Sequence, residues 1–170
     1  MKVQQNQIIY ESYDEKEWMK IHFDNQSGGF LVAHIKHGRY EIAQNKAISL
    51  RLVAMGKTVE LLPITVDMYS ADANIDGEIW ELKEVVGSVS SVQNRLRKGK
   101  RQARNVLLVI KSDDFIAVDI LRGIMSSINF DAANRINKVG ILFPNNELVE
   151  LTKQDIQRRY FDEFFNALTK

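Results

Sequence analysis

The dipeptide Asp76-Gly77 sits between two alternating runs, Ser70-Ala71-Asp72-Ala73-Asn74-Ile75 and Glu78-Ile79-Trp80-Glu81-Leu82-Lys83. A two-residue hairpin loop needs left-handed backbone at both central residues, which aspartate tolerates and glycine adopts without steric cost. The spacing therefore predicts a hairpin in which Ile75 pairs with Glu78. Counting outward, Asn74 meets Ile79, Ala73 meets Trp80, Asp72 meets Glu81 and Ser70 meets Lys83. Because side chains alternate faces along a strand, one face carries Ala71, Ala73, Ile75, Trp80 and Leu82. The other carries Asp72, Asn74, Ile79, Glu81 and Lys83. One face reads as core and the other as chemistry.

Directly opposed strand residues have Cβ atoms roughly 4.5–5.5 Å apart, and like charges placed there repel. A small cation relieves that repulsion, since two carboxylates at this separation both reach a metal whose ligands sit at about 2.1 Å, as for Mg²⁺. Lys83, two residues beyond Glu81, shares their face and is placed to hold an attacking water or to offset phosphate charge. A sheet with one solvated face gives the same alternation, and a Glu-x-Lys pair is ordinary there. On the hairpin alone both readings stand.

With 170 residues the chain is long enough for one sizeable core and too short for two comfortable domains, so a single domain over 1–170 is expected. Lys+Arg 23 against Asp+Glu 22 leaves a net charge of +1, so any basic surface must be local. The absence of cysteine excludes disulfides, thiolate catalysis and zinc–cysteine sites. The first residues contain no apolar run suited to a signal peptide, and no stretch of 18 apolar residues occurs. The expectation is a cytoplasmic protein with no membrane association.

Around the hairpin the pattern is α/β. Strands are expected within residues 7–35, best at Phe30-Leu31-Val32-Ala33, with a tight loop at Asn25-Gln26-Ser27-Gly28-Gly29. Ile42, Ala43, Ala47, Leu50 and Ala54 recur at helical spacing from about Tyr40 to Met55, and Gly56 occupies a C-cap position. Val59-Leu62 reads as a strand stopped by Pro63. Val89, Val92, Leu96, Gly99 and Ala103 mark one face of a helix over 89–104, followed by a strand at Asn105–Ile110. Residues 115–128 favour a helix. Val139–Phe143 is a strand ended by Pro144-Asn145-Asn146, and Leu148–Leu151 returns beside it. Ile156, Phe161, Phe164, Phe165 and Leu168 form the apolar stripe of a last helix. A small mixed β-sheet flanked by helices, an α+β fold, is the economical architecture.

Arg95, Arg97, Lys98, Lys100, Arg101 and Arg104 crowd one segment. Such a run is either a solvated helix face or a grip on nucleic-acid phosphates. No aromatic residue interleaves with these charges, so base specificity has to come from elsewhere. His22, His34 and His37 read as surface or strand-end residues rather than metal ligands, although the last two lie near Glu41.

Ala71-Asp72 followed by Ile75-Asp76-Gly77-Glu78-Ile79-Trp80-Glu81-Leu82-Lys83 resembles the core of PD-(D/E)XK nucleases, and in particular the C-terminal tRNA-nuclease domains of contact-dependent growth-inhibition toxins. Similar domains accompany phage and mobile-element proteins. In that family a glutamate-bearing helix precedes a Gly-Lys-x-Val-x-Leu-Leu-Pro stretch, as Glu41 precedes Gly56-Lys57-Thr58-Val59-Glu60-Leu61-Leu62-Pro63. A later helix with lysines and a glutamine is similar to Arg97-Lys98-Gly99-Lys100-Arg101-Gln102-Ala103, and the likeness covers about residues 38–112, leaving 1–35 and 115–170 unmatched.

The resemblance implies a restriction-endonuclease-like core in which Asp72 and Glu81 are metal ligands and Lys83 the catalytic lysine. Glu41 is implied as a further acidic ligand, and Gln102 as a residue supporting the site. The implied cofactor is Mg²⁺, with Mn²⁺ or Zn²⁺ as alternatives. The implied partners are tRNA or DNA and an immunity protein. Two departures stand: the motif's proline is Ala71, and the interval from Asp72 to Glu81 is short for the superfamily. Asp76 is the alternative ligand if the turn is wider than two residues. The rival functions are a non-catalytic nucleic-acid-binding module and a phage or mobile-element assembly protein built on a nuclease-like fold.

Overall fold

A computed structural model describes residues 1–38, 41–64 and 70–158. Among these residues are five helices and eight strands, the α+β arrangement of mixed sheet and helices expected above. The chain forms two compact units, Met1–Trp80 and Glu81–Lys170, whose boundary falls inside one strand.

The first unit runs α1 (Lys2–Ser12), β1 (Trp18–Phe23), β2 (Phe30–His34), α2 (Ile42–Ala54), β3 (Thr58–Leu61), β4 (Ala73–Ile75) and the start of β5 (Glu78–Val85). Its strands lie in the order β1-β2-β3-β4-β5. β2 and β3 are parallel, joined by α2 as a crossover, and the other pairs are antiparallel. The Asn25–Gly29 segment makes the expected tight loop, with Gly28 at φ 72°.

Residues 7–12 were expected in a strand region and are instead the end of α1. This helix has no apolar stripe, and Ile8 and Ile9 are exposed, so periodicity does not reveal it. Tertiary contacts hold it in place. Asn6 Nδ2 donates to Gly28 O at 2.8 Å, Lys2 Nζ donates to Gly56 O at 3.1 Å, and the Tyr10 ring sits 5.8 Å from that of Phe30.

α2 covers the predicted span, but its buried face is not the predicted one. Asn45, Ile48, Ser49, Leu52 and Val53 are buried, whereas Ala43, Ala47 and Ala54 are exposed. Alanine suits either environment in a helix, and the polar Asn45 and Ser49 masked the true stripe. The helix ends in a Schellman turn: Gly56, at φ 79°, donates to Val53 O at 2.8 Å and Lys57 donates to Leu52 O at 3.2 Å.

The turn and the three derived pairs nearest it are observed, β4 beginning at Ala73. Ile75 pairs with Glu78, Asn74 with Ile79 and Ala73 with Trp80. Asp76 and Gly77 take φ 50° and 86°, the left-handed pair that a type I′ turn requires.

In the second unit β5 continues to Val85. It is followed by α3 (Val89–Gly99), β6 (Asn105–Ile110), α4 (Ala117–Asn129), β7 (Lys138–Leu142), β8 (Leu148–Thr152) and α5 (Lys153–Arg158). The strand order is β5-β6-β7-β8, with β6 and β7 parallel across the α4 crossover and β7 and β8 antiparallel. Val92 and Leu96 of α3, as predicted, and Ile120 and Ile124 of α4 are completely buried in one core with β6 and β7. The helices approach closely because Gly123 faces Val92: a Cβ added there would lie 2.7 Å from the Val92 Cβ.

α3 was expected to reach residue 104 and stops at Gly99. A tight turn follows, in which Arg101 donates to Lys98 O and Gln102 to Gly99 O. Glycine is a poor helix former, and the chain must turn here to enter β6 at Asn105. Of the last expected helix, Phe161, Phe164, Phe165 and Leu168 lie outside the described residues.

Candidate functional site

Asp72 stands one residue before β4. Its backbone carbonyl accepts from Leu62 N at 3.0 Å, extending the β3–β4 pairing by one step. Its side chain is half-buried, and Asn45 Nδ2 donates to Oδ1 at 3.4 Å. Asn45 Nδ2 also lies 3.2 Å from His37 Nε2, while His37 Nδ1 donates to Leu62 O at 2.6 Å. A carbonyl only accepts, so Nδ1 carries the imidazole proton and Nε2 accepts from Asn45. A relay Leu62–His37–Asn45–Asp72 results, anchored at one end on backbone.

His37 is 5 % exposed, which corrects its assignment to the surface. Gly-Arg and Ile-Lys neighbours suggested a loop, and the loop is there, but its histidine turns inward onto β3's end. Asn45 was missed altogether. The available signal was an amide one turn after Glu41 on the face shared with Ile48 and Leu52.

Glu41 is the N-cap of α2 and is exposed. Its carbonyl accepts from Asn45 N at 2.9 Å, and its carboxylate passes close to Gly38, where an added Cβ would lie 3.4 Å from Oε2. At four residues' separation Glu41 and Asn45 project from the same side of the helix, so the first turn of α2 brings Glu41 to the end of the unit that holds Asp72.

Asp76 is engaged in its own turn. Its Oδ1 accepts from Thr58 N at 2.9 Å and Thr58 Oγ1 at 3.2 Å, and Lys57 Nζ lies 3.1 Å from Oδ2. The same face of the first unit carries a second polar group, in which Tyr13 and Asn74 both donate to Glu60. Burial, then the hydrogen bond and charge of Glu60, push the Tyr13 hydroxyl well above the usual phenol range.

In the second unit Glu81 is completely buried and Lys83 Nζ donates to its Oε1. The alternative of a solvated face does not describe Glu81, which is completely buried. The end of α3 lies over it: a Cβ added at Gly99 would meet Glu81 Cγ at 3.5 Å and both Val106 methyls at 3.0 Å. Lys83 keeps 19 % of its side chain exposed. Gln102 is half-buried in the turn after α3, not on a helix.

Of the basic residues, Arg95, Arg97 and Lys98 are exposed on α3, and Arg101 and Arg104 are exposed beyond it. Lys100 is half-buried and lies 3.1 Å from Asp131 Oδ1. Burial raises the Asp131 carboxyl, but the Ile136 amide, Lys100 and the Arg135 amide together outweigh it and hold it below the usual range. Among the described residues no group of three or more His, Asp or Glu side chains gathers to hold a metal, and no helix is long and apolar enough to cross a membrane.

No curated protein matches this chain. A solved structure described as the CdiA-CT/CdiI toxin and immunity complex from Burkholderia pseudomallei has a TM-score of 0.49 and 14 % identity, covering 66 % of this chain and 85 % of that one. The family model of the contact-dependent growth inhibition CdiA C-terminal domain matches residues 69–148. The matched stretch takes in the hairpin, α3, β6, α4 and β7, and so reaches well past residue 112, where the sequence likeness was expected to end, but leaves out Glu41 and residues 56–63. From 69 to 148 the chain is therefore similar to the C-terminal domains of CdiA toxins.

Proposed function

We propose that the chain is a toxin-type nuclease that hydrolyses phosphodiester bonds of tRNA or DNA with a divalent metal, probing the substrate backbone with the cations of residues 95–104. The observation that carries this reading is the completely buried carboxylate of Glu81 paired with the partly exposed Lys83. Burying a carboxylate costs several kcal/mol, and an apolar pair of similar volume is often as stable or more so. Stability is therefore a poor reason for an ion pair here, whereas catalysis is a good one. The match of residues 69–148 to a growth-inhibition domain supports a toxic activity.

The donor set fits a hard divalent cation: carboxylate oxygens, no thiolate, and two protein ligands rather than a full cage, as Mg²⁺ prefers. Asp72 and, through water, Glu41 of the first unit and Glu81 of the second are the carboxylates we would assign to it as ligands. When bound, such a metal polarises the scissile phosphate and lowers the pKa of a bound water. Lys83, which donates to Glu81, would orient the attacking water or offset the developing phosphoryl charge. The Leu62–His37–Asn45 relay fixes the orientation of the Asp72 carboxylate. Gln102 supports the site from the turn after α3. A growth-inhibiting nuclease also needs a cognate immunity protein in the cell that makes it, and we place such an inhibitor among its partners.

The test is incubation with tRNA, single-stranded DNA and duplex DNA, in Mg²⁺ or in EDTA. Cleavage that requires metal and is lost in Glu81→Gln supports the reading. Binding without cleavage of any substrate would favour the non-catalytic module.

A further inference from the structure

The second unit has a cavity of about 250 Å³ beside the ends of α3 and α4, bordered by Gln93, Arg97, Lys100, Ser126, Phe130 and Ile136. Phe130, the C-cap of α4, is 83 % exposed. A lone exposed aromatic is unremarkable; its surroundings make the difference. Gln93 Nε2 donates to Ser126 Oγ at 2.9 Å, and an amide so engaged still has an acceptor oxygen and a second N–H to offer.

A second cavity, of about 300 Å³, shares Lys100 and adds Arg101, Arg104 and Arg135, with no acidic residue in its wall. The loop that brings Arg135 there is firmly tied. Asp131 accepts from Lys100 and, at 2.9 Å, from Ile136 N, and Asn137 N donates to Arg104 O at 2.7 Å.

We infer that these adjoining cavities form a cradle for an unpaired nucleotide of the substrate, its base against Phe130 and its phosphates over Arg101, Arg104 and Arg135. This rests on the reading that the substrate is nucleic acid, and adds the state of the strand. The first cavity lies just below the range of about 300–1,000 Å³ usual for whole small ligands, which suits one base of a longer chain. Stacking on an aromatic ring needs a base face that a duplex covers, so the cradle selects single-stranded or looped segments. Cations without carboxylates suit a polyanion. Phe130 thereby supplies the aromatic that the basic run itself lacks.

The experiment is fluorescence anisotropy of a short labelled single-stranded oligonucleotide and the matching duplex, in EDTA so that no cleavage intervenes. Wild type is expected to prefer the single strand. Phe130→Ala should weaken that binding about tenfold without changing its salt dependence. Arg101→Gln and Arg135→Gln should each lower the slope of log affinity against log salt by about 0.7. Equal binding by Phe130→Ala and wild type, preference for the duplex, or no binding of either nucleic acid overturns the cradle; the last outcome leaves the face to a protein partner. Cleavage in Mg²⁺ is scored separately. A cradle that binds as expected with no cleavage sinks the nuclease reading alone, and cleavage with a silent Phe130→Ala sinks the cradle alone.

Discussion

Lys83 donates to Glu81, and the carboxylate it neutralises is completely buried. The two ends of the pair are unequal, since Lys83 retains 19 % exposure on a flexible stem. Removing the lysine takes its cation from a carboxylate that is completely buried. Removing the acid leaves an ammonium that reaches solvent. Lys83→Ala is therefore expected to cost about 3 kcal/mol, and Glu81→Gln clearly less. Urea unfolding of both variants and of the double variant Glu81→Gln/Lys83→Met measures this. Equal losses in the two single variants would mean that the pair is not the asymmetric one described.

Asp72 and Asp76 separate by what they already hold. Asp76 accepts from both groups of Thr58 and sits at φ 50°, a conformation that asparagine also tolerates. Asp76→Asn keeps an acceptor oxygen and removes the charge, so it should fold with a loss of about 1 kcal/mol at most and retain cleavage. Asp72→Asn should abolish cleavage while leaving the thermal midpoint near wild type. A dead Asp76→Asn beside an active Asp72→Asn would reverse the assignment of the ligand.

The hairpin was legible because one dipeptide fixes the turn type, and the turn type fixes the register; every observed pair of β4 with β5 follows. Helix α3 was legible in its stripe and not in its length, since charge and spacing continue past Gly99 while the helix there gives way to a tight turn with bonds from Arg101 to Lys98 O and Gln102 to Gly99 O. α1 was illegible: its stability comes from Asn6, Lys2 and Tyr10 reaching residues far along the chain, and sequence periodicity carries no trace of that. At the candidate site, Glu81 and Lys83 stood out as a motif but their burial did not, because alternation marks a side and says nothing about what covers it. His37 and Asn45 were hidden for the converse reason. Polar residues on a helix face and in a loop read as solvated until the strand end they bond to is known.

Asp131 gives the second unit an acid-sensitive tie. Its carboxyl is held below the ordinary value of 3.8 in the folded state despite burial, by the Ile136 amide, Lys100 and the Arg135 amide. A depressed folded-state pKa contributes stability that is complete above the unfolded value and disappears as pH falls through the folded one. Unfolding free energy should therefore drop from about pH 4 downward, and Asp131→Asn should flatten that drop while lowering stability at neutral pH. Denaturant titrations across this range check both. A wild-type curve no steeper than that of Asp131→Asn would remove Asp131 from the acid response.

Asn45 joins a buried imidazole to the Asp72 carboxylate, with its amide 3.2 Å from His37 Nε2 and 3.4 Å from Asp72 Oδ1. Asn45→Ala leaves the His37 acceptor buried without its donor, a loss of about 1–3 kcal/mol. Asn45→Asp differs in kind, because it offers the imidazole no amide hydrogen and sets a second carboxylate beside Asp72. If the relay positions Asp72 for metal, Asn45→Ala should raise the Mg²⁺ concentration needed for half-maximal cleavage, and excess Mg²⁺ should recover most of the rate. A residue that serves folding alone would lower stability and leave the metal requirement where it was. Cleavage measured across a Mg²⁺ titration, beside thermal unfolding of the same samples, separates the two, and an unchanged Mg²⁺ midpoint in a destabilised Asn45→Ala would reduce the relay to a structural device.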